Sequence, residues 1–252
     1  MALLLVFGAA AAAQGQVLIN EVDADTPGTD MEEFVELYGP PNTSLDGLVL
    51  VFYNGNGDLS YAAYDLDGYT LDASGFFLLG NAGVVPTPSI IFGSNGLQNG
   101  PDAVALYTGH DVDFPSGTPV TTVNLVDAVV YDTSDADDAG LLVLTPGQPQ
   151  IDENANLNGA YESIQRNPDG AGGALVTTSY VVKAPTPGVS NATVVLQAPQ
   201  VTNVYHRSLL PVPGEPVTVY ADATDSDGTV TEVRLYWQVN GMGLTSVAMT
   251  LS

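Results

Sequence analysis
Short runs of β-branched and aromatic residues, interrupted at close intervals by glycine, proline and aspartate, set the limits on what this chain can fold into. Residues 17–22 and 34–38 are two such runs, joined by an acidic loop that Pro27-Gly28 punctuates, and the pattern recurs at 48–53, 61–64, 76–79, 103–107, 126–131 and 180–182. Runs of this length and composition between turn residues read as strands. Leu48-Val49-Leu50-Val51-Phe52-Tyr53 is almost continuously apolar, which predicts a central strand covered on both faces. In the run at 103–107, Val104 and Leu106 alternate with Ala103, Ala105 and Tyr107, so small residues share one face with a tyrosine. Asp46-Gly47, Asp67-Gly68 and Asn54-Gly55-Asn56-Gly57 supply tight turns in which glycine takes the positive φ. No long window shows helical periodicity with caps, and helical geometry is expected only as a turn or two near 154–158. The predicted class is all-β.

Charge divides the chain. It carries 29 acidic residues against four basic ones, Arg166, Lys183, Arg207 and Arg234, for a net charge of −25 over 252 residues. Residues 14–194 hold 24 of the acids and two of the bases, whereas 195–252 hold five acids and two bases. Pro185, Pro187-Gly188 and Pro199 surround this break, which places a linker at 191–199 between a domain at 14–190 and a second piece at 200–252. In the second piece, 217–223 alternates as a strand, Asp225-Ser226-Asp227-Gly228 turns the chain, and 230–239 runs on as a strand containing Trp237. That is the first half of an immunoglobulin-like β-sandwich, a fold that needs about 100 residues, so the second domain is expected to be partial. Four cations cannot neutralise a phosphate backbone, which argues against nucleic acid as a partner. The excess of acid reads as a solvated surface of Asp-Gly turns, or else as suited to a cation-rich medium, where counterions screen self-repulsion.

The first 13 residues, MALLLVFGAAAAA, are apolar and end in small side chains. They are too short to span a bilayer, which takes about 20 apolar residues, and they match the second half of a secretory signal peptide. With no basic segment ahead of them, they read as a signal-peptide remnant, and the expected location is secreted or cell-surface. The chain has no cysteine, which removes disulfides, thiolate nucleophiles and cysteine zinc sites together.

Several separated motifs resemble those of the lamin tail domain family over roughly residues 17–191. They are Ile19-Asn20-Glu21, Glu33-Phe34-Val35-Glu36-Leu37-Tyr38, Ser44-Leu45-Asp46-Gly47 and Gly75-Phe76-Phe77, then Gln98-Asn99-Gly100-Pro101-Asp102 leading into 103–107, Val126-Asp127-Ala128-Val129-Val130-Tyr131, Ser163-Ile164-Gln165-Arg166, and Thr186-Pro187-Gly188 with Asn191. The resemblance implies an immunoglobulin-like sandwich of the lamin tail type, noncatalytic, carried by bacteria in secreted multidomain proteins. The basic surface and coiled-coil heptads of the nuclear members are absent, which argues against their roles. The piece after Pro199 resembles, more generically, a bacterial immunoglobulin-like domain. The expected function is an adhesion, anchoring or protein-interaction module with a protein or cell-surface glycan as partner. The alternative is a pair of accessory domains of a secreted nuclease or phosphatase whose catalytic domain lies beyond residue 252.

No catalytic residues and no cofactor are assigned. The two histidines, His110 and His206, accompany no Gly-x-Ser-x-Gly elbow, and acids scattered everywhere do not define a glycosidase pair. Calcium is the partner the acidic loops could take. The EF-hand register fails: with Gly228 at its sixth position, the first is Ala223 and the twelfth is Arg234. Irregular sites remain at Asp23, Asp25 and Asp30 or at Asp222, Asp225 and Asp227, against the plainer reading that each aspartate caps its own turn. Glu33 is expected to share a face with Val35 and Leu37 and to pair with Arg166. Tyr61, Tyr64, Tyr69 and Phe76 are expected in core and rim packing, with a sugar-binding platform as the other reading.

Overall fold
The computed structural model describes residues 16–192, 200–207, 212, 214–224, 230–238 and 242–250. The signal-peptide reading at 1–13 and most of the linker at 191–199 lie outside the described residues. Contacts divide the chain into two units, Met1–Thr193 and Val194–Ser252.

The first unit is an all-β sandwich. Its strands are β1 (Leu18–Asp23), β2 (Phe34–Tyr38), β3 (Leu48–Asn54), β4 (Leu59–Asp65), β5 (Phe76–Gly80), β6 (Ile90–Ile91), β7 (Asp102–Thr108), β8 (Leu125–Asp132), β9 (Ile151–Asp152), β10 (Ser163–Arg166) and β11 (Tyr180–Lys183). One sheet has the order β11-β10-β1-β2-β5-β6 and the other β4-β3-β7-β8-β9. All pairings are antiparallel except those of the two-residue strands β6 and β9, which add in parallel at sheet edges and blunt them. A common core joins the sheets: Ile19, Val22, Val35, Leu37, Leu79 and Ile164 meet Leu50, Phe52, Val104, Leu106, Val129 and Tyr131.

The continuous apolar run in β3 is explained by a second core on the far side of its sheet. There Val49, Val51, Tyr53, Ala103, Ala105, Tyr107 and Val130 pack under Phe114, Leu141 and Leu144. Leu141–Leu144 form a 3-10 turn and Phe114 follows another at Asp111–Asp113. Small residues on that face of β7 admit the rings of Tyr53 and Tyr107, whose centroids lie 6.4 Å apart. The helical geometry expected near 154–158 is realised one step later, as a 3-10 turn at Gly159–Tyr161.

The outer face of the β1–β2 sheet is polar and is covered by a strap of chain at 184–191. Thr186 donates its backbone N–H and its hydroxyl to the two carboxylate oxygens of Glu21, at 2.8 Å each. Gly188 N–H donates to Glu36 Oε2 at 2.7 Å, while Asn20 Nδ2 donates to its Oε1 at 2.8 Å. Gly188 has φ +75°, and a Cβ there would come within 2.8 Å of Pro86, so the Thr186-Pro187-Gly188 turn passes only with glycine at its third position.

The second unit pairs β12 (Gln200–Arg207) with β13 (Thr218–Thr224) and β14 (Arg234–Trp237) with β15 (Thr245–Ala248), all antiparallel. β12 and β15 were not anticipated, and β14 is shorter than the 230–239 run suggested. Tyr205 and Tyr220 stack at 5.1 Å. No described residue of this unit is buried, and Trp237 remains 40% exposed. Two hairpins without a buried face do not offset their ordering entropy. Residues 14–194 alone are therefore expected to melt cooperatively by circular dichroism. Residues 199–252 alone should show no cooperative transition in Trp237 fluorescence, and a sigmoidal melt there would show a core that these contacts lack.

Candidate functional site
Two sets of ionisable groups stand out, one neutralised inside the sandwich and one left uncompensated at its end. The first centres on Arg166, which closes β10 and is fully buried. Its Nη2 donates to both carboxylate oxygens of Asp127, at 3.2 and 3.0 Å, across from the facing sheet. Nε donates to Ile19 O at 2.8 Å, and Nη1 reaches the carbonyls of Ala171, Gly173 and Val176 and the hydroxyl of Ser179. The guanidinium lies 4.7 Å from the ring centroid of Tyr180. Burial pushes the Asp127 carboxyl up, and the guanidinium and the N–H groups of Leu175 and Ile19 offset part of that rise. A single hub thus fixes β1, β8, β10 and the loop at 167–179.

This corrects the expected pairing of Arg166 with Glu33. Glu33 lies just ahead of β2 and is fully buried. Its oxygens accept the N–H groups of Gly96 at 2.8 Å and Leu97 at 3.1 Å. Backbone donors of the 92–101 loop thus satisfy it where a cation was expected, and burial still raises its pKa to about 7.

The second set lies at the end of the sandwich where β1, β3 and β8 finish and β2, β4 and β7 begin. Asp23, Asp25, Asp30, Glu33, Asp58, Asp102 and Glu153 gather on its loops. Among the described residues, every buried carboxylate oxygen without a hydrogen-bond partner belongs here: Asp23 Oδ1, Asp58 Oδ1, Asp102 Oδ2 and Glu153 Oε2. Burial, with Glu153 the nearest charge in effect, raises Asp23 well above the ordinary carboxylate range. Glu153 is likewise raised, by burial and by Asp25 and Asp30. Asp102 is raised to about 6 by burial, with Asp135 and Asp138 adding repulsion.

Within the first loop, Asp30 Oδ1 accepts the N–H of Thr26 at 2.9 Å. Asn99 Nδ2 bridges Asp25 and Asp30 at 3.4 Å to each. Sequence reasoning singled out Asp23, Asp25 and Asp30 but missed Glu153, which arrives from 130 positions away after β9. In the second cluster, Asp222 accepts from Asn203 Nδ2 at 2.6 Å; Asp225 and Asp227 lie outside the described residues.

His110 sits at the opposite end of the sandwich. Its Nδ1 is 3.1 Å from Asp65 Oδ2 and 3.4 Å from Asp67 Oδ2. Among the described residues this is the one set of three such side chains whose ligand atoms lie within 4.8 Å of one another. It is an exposed ion pair whose carboxylates are already engaged: Asp65 Oδ1 accepts Asp67 N–H and Asp67 Oδ1 accepts Gly47 N–H. The hydrogen bond to Asp65, then the charge of Asp67, raises the histidine pKa. The aromatic residues are packing elements. Tyr61 and Tyr64 lean on Phe52, Tyr69 on Phe77 and Phe76 on Tyr38, with centroids between 5.1 and 5.9 Å apart.

Neither a protein-family model nor a curated protein matches this chain. No helix among the described residues is long and apolar enough to cross a membrane.

Proposed function
We propose that the chain is a noncatalytic interaction module, serving adhesion or anchoring in a secreted or cell-surface protein, with an immunoglobulin-like first unit of the lamin tail type. One observation carries this reading. The polar residues of the recognised motifs are spent on one another: Asn20, Glu21 and Glu36 hold the strap through Thr186 and Gly188, and Arg166 ties the sheets through Asp127. Motifs consumed in building a scaffold leave its loops and faces as the working surface. The acid-rich loop end draws its counterions from the surrounding medium, calcium foremost.

The purified chain, mixed with intact bacterial cells or isolated cell-wall polymer in millimolar calcium, is expected to sediment with them saturably. It should leave phosphomonoesters, phosphodiesters and nucleic acid uncleaved. Turnover of any of these by the chain itself would overturn the noncatalytic reading, and a chain that stays wholly in the supernatant would overturn adhesion.

A further inference from the structure
We infer that the acidic end of the first unit carries a calcium site anchored by Asp23 and Glu153, with Asp25 and Asp30 supplying its loop side. This deepens the calcium reading given above and rests on it.

The inference starts from two oxygens. Glu153 is fully buried and Asp23 is 4% exposed, and among the described residues Glu153 Oε2 and Asp23 Oδ1 have no hydrogen-bond partner. A buried carboxylate oxygen without a donor is among the costliest arrangements in a protein interior, and such groups are ordinarily paired or bound to metal. Neither side chain is loosely placed. Glu153 Oε1 accepts the N–H of Ala24 at 3.0 Å, which locks it against the residue next to Asp23. The N–H of Asp25 lies against it as well. Thr26 and Asn99 hold Asp30 and Asp25 on the other side of the loop. Arg166, the buried cation of this unit, is engaged by Asp127, and none of the ion pairs found among the described residues includes these acids.

The ligand chemistry selects the ion. All the side chains offered are carboxylates, the donors of hard cations, with none of the nitrogen or sulfur that zinc prefers. Among the described residues their oxygens do not meet within 4.8 Å as a set of three. Calcium, with six to eight oxygens at about 2.3–2.6 Å and variable geometry, can draw such a set together and complete it with water, whereas magnesium demands a tighter octahedron. Asp23 also lines an open cleft of about 350 Å³ with Glu32, Pro185 and Pro187, so the cleft opens Asp23 to solvent.

The test uses the whole chain stripped with a chelator, then melted in calcium, magnesium or sodium chloride at matched ionic strength, with calcium binding followed by calorimetry. Calcium at a hundredfold excess over its dissociation constant is expected to raise the melting temperature of the first unit by about 5–10 °C, well beyond magnesium or sodium. Asp23→Asn and Glu153→Gln should each abolish that selective rise. In chelator both should melt at or above the wild-type temperature, because they relieve repulsion and keep the shape. Asp67→Asn, at the other end of the sandwich, should leave the calcium response intact.

A calcium-selective rise that survives Asp23→Asn and Glu153→Gln would overturn this site and leave the broader calcium reading standing. Equal effects of calcium, magnesium and sodium would overturn both. Variants that melt well below wild type in chelator would show that the two carboxylates hold the fold by themselves, which also overturns the site.

Discussion

Replacing Arg166 by methionine is expected to remove about 3–5 kcal/mol of stability from the first unit, the cost of leaving one member of a buried ion pair unpaired. The damage exceeds the loss of one contact. Asp127 would remain among Ile19, Leu175 and Tyr180 without its counter-charge, while Ile19 O, Ala171 O, Gly173 O, Val176 O and Ser179 Oγ would each lose a donor. Domains of this kind have only about 5–15 kcal/mol in total, so the variant should be partly unfolded at 37 °C. Asp127→Asn should cost less, since Arg166 keeps its acceptors on Ile19, Ala171, Gly173, Val176 and Ser179, although the amide oxygen can replace only one of the two carboxylate oxygens to which Ile19 and Leu175 donate. Arg166→Lys should fall between the two, because an ammonium cannot reproduce the planar fork. Denaturant unfolding followed by circular dichroism measures the order. An Arg166→Met variant within about 1 kcal/mol of wild type would show that the loop at 167–179 is held by something other than this hub.

Most of the sandwich was legible in the sequence because each sheet buries at least one face. Seven of the anticipated first-unit runs correspond to β1, β2, β3, β4, β5, β7 and β8, and 180–182 corresponds to β11. β6 and β9 were missed because two residues carry no period. β10 was missed because Ser163, Gln165 and Arg166 read as polar, although all are buried; their side chains face partners supplied by distant segments, Glu21, Asp127 and the strap. That Arg166 would take a buried acid as its partner was readable, but Glu33 was the wrong one. Asp127 sits inside the apolar run of β8, and a charge in such a place announces a buried partner; that signal names the right acid where the choice of Glu33 did not. The acidic end was half visible. Asp23, Asp25 and Asp30 share one loop, but Glu153 joins them only because β9 pairs in parallel with β8 and delivers its next residue to Ala24. Local sequence holds no trace of that meeting.

Stability should fall as pH rises, opposite to the usual behaviour of proteins whose carboxylates are salt-bridged. Burial raises Asp102 to about 6, Glu33 to about 7 and Glu36 to about 9, and moves Glu21, Asp23 and Glu153 in the same direction. For each group the folded pKa exceeds the unfolded one, so between the two values the native state binds more protons than the unfolded chain. Stability then declines with pH through that interval. The contribution is complete below about pH 4, where both states are protonated. It is lost in turn as pH passes about 6 for Asp102, 7 for Glu33 and 9 for Glu36. Asp46 and Asp65, whose pKa values are lowered by backbone N–H donors from Gly68 and Asp67, work the other way, but only at acid pH below their ordinary value. His110, raised by Asp65, loses its contribution as pH climbs and so reinforces the trend.

At fixed ionic strength and in chelator, the melting temperature of the first unit is therefore expected to drop on the order of 10 °C between pH 5 and pH 9. One substitution isolates a single step of that decline. In Asp102, Oδ1 accepts Gly55 N–H at 3.0 Å and Oδ2 has no partner, so Asp102→Asn keeps the hydrogen bond and removes only the charge. It should leave the pH 5 melting temperature unchanged and raise the pH 8 value by a few degrees. A variant that gains equally at both pH values, or a wild-type unit that grows more stable from pH 5 to 9, would show that these carboxylates are ionised in the fold with compensation from elsewhere.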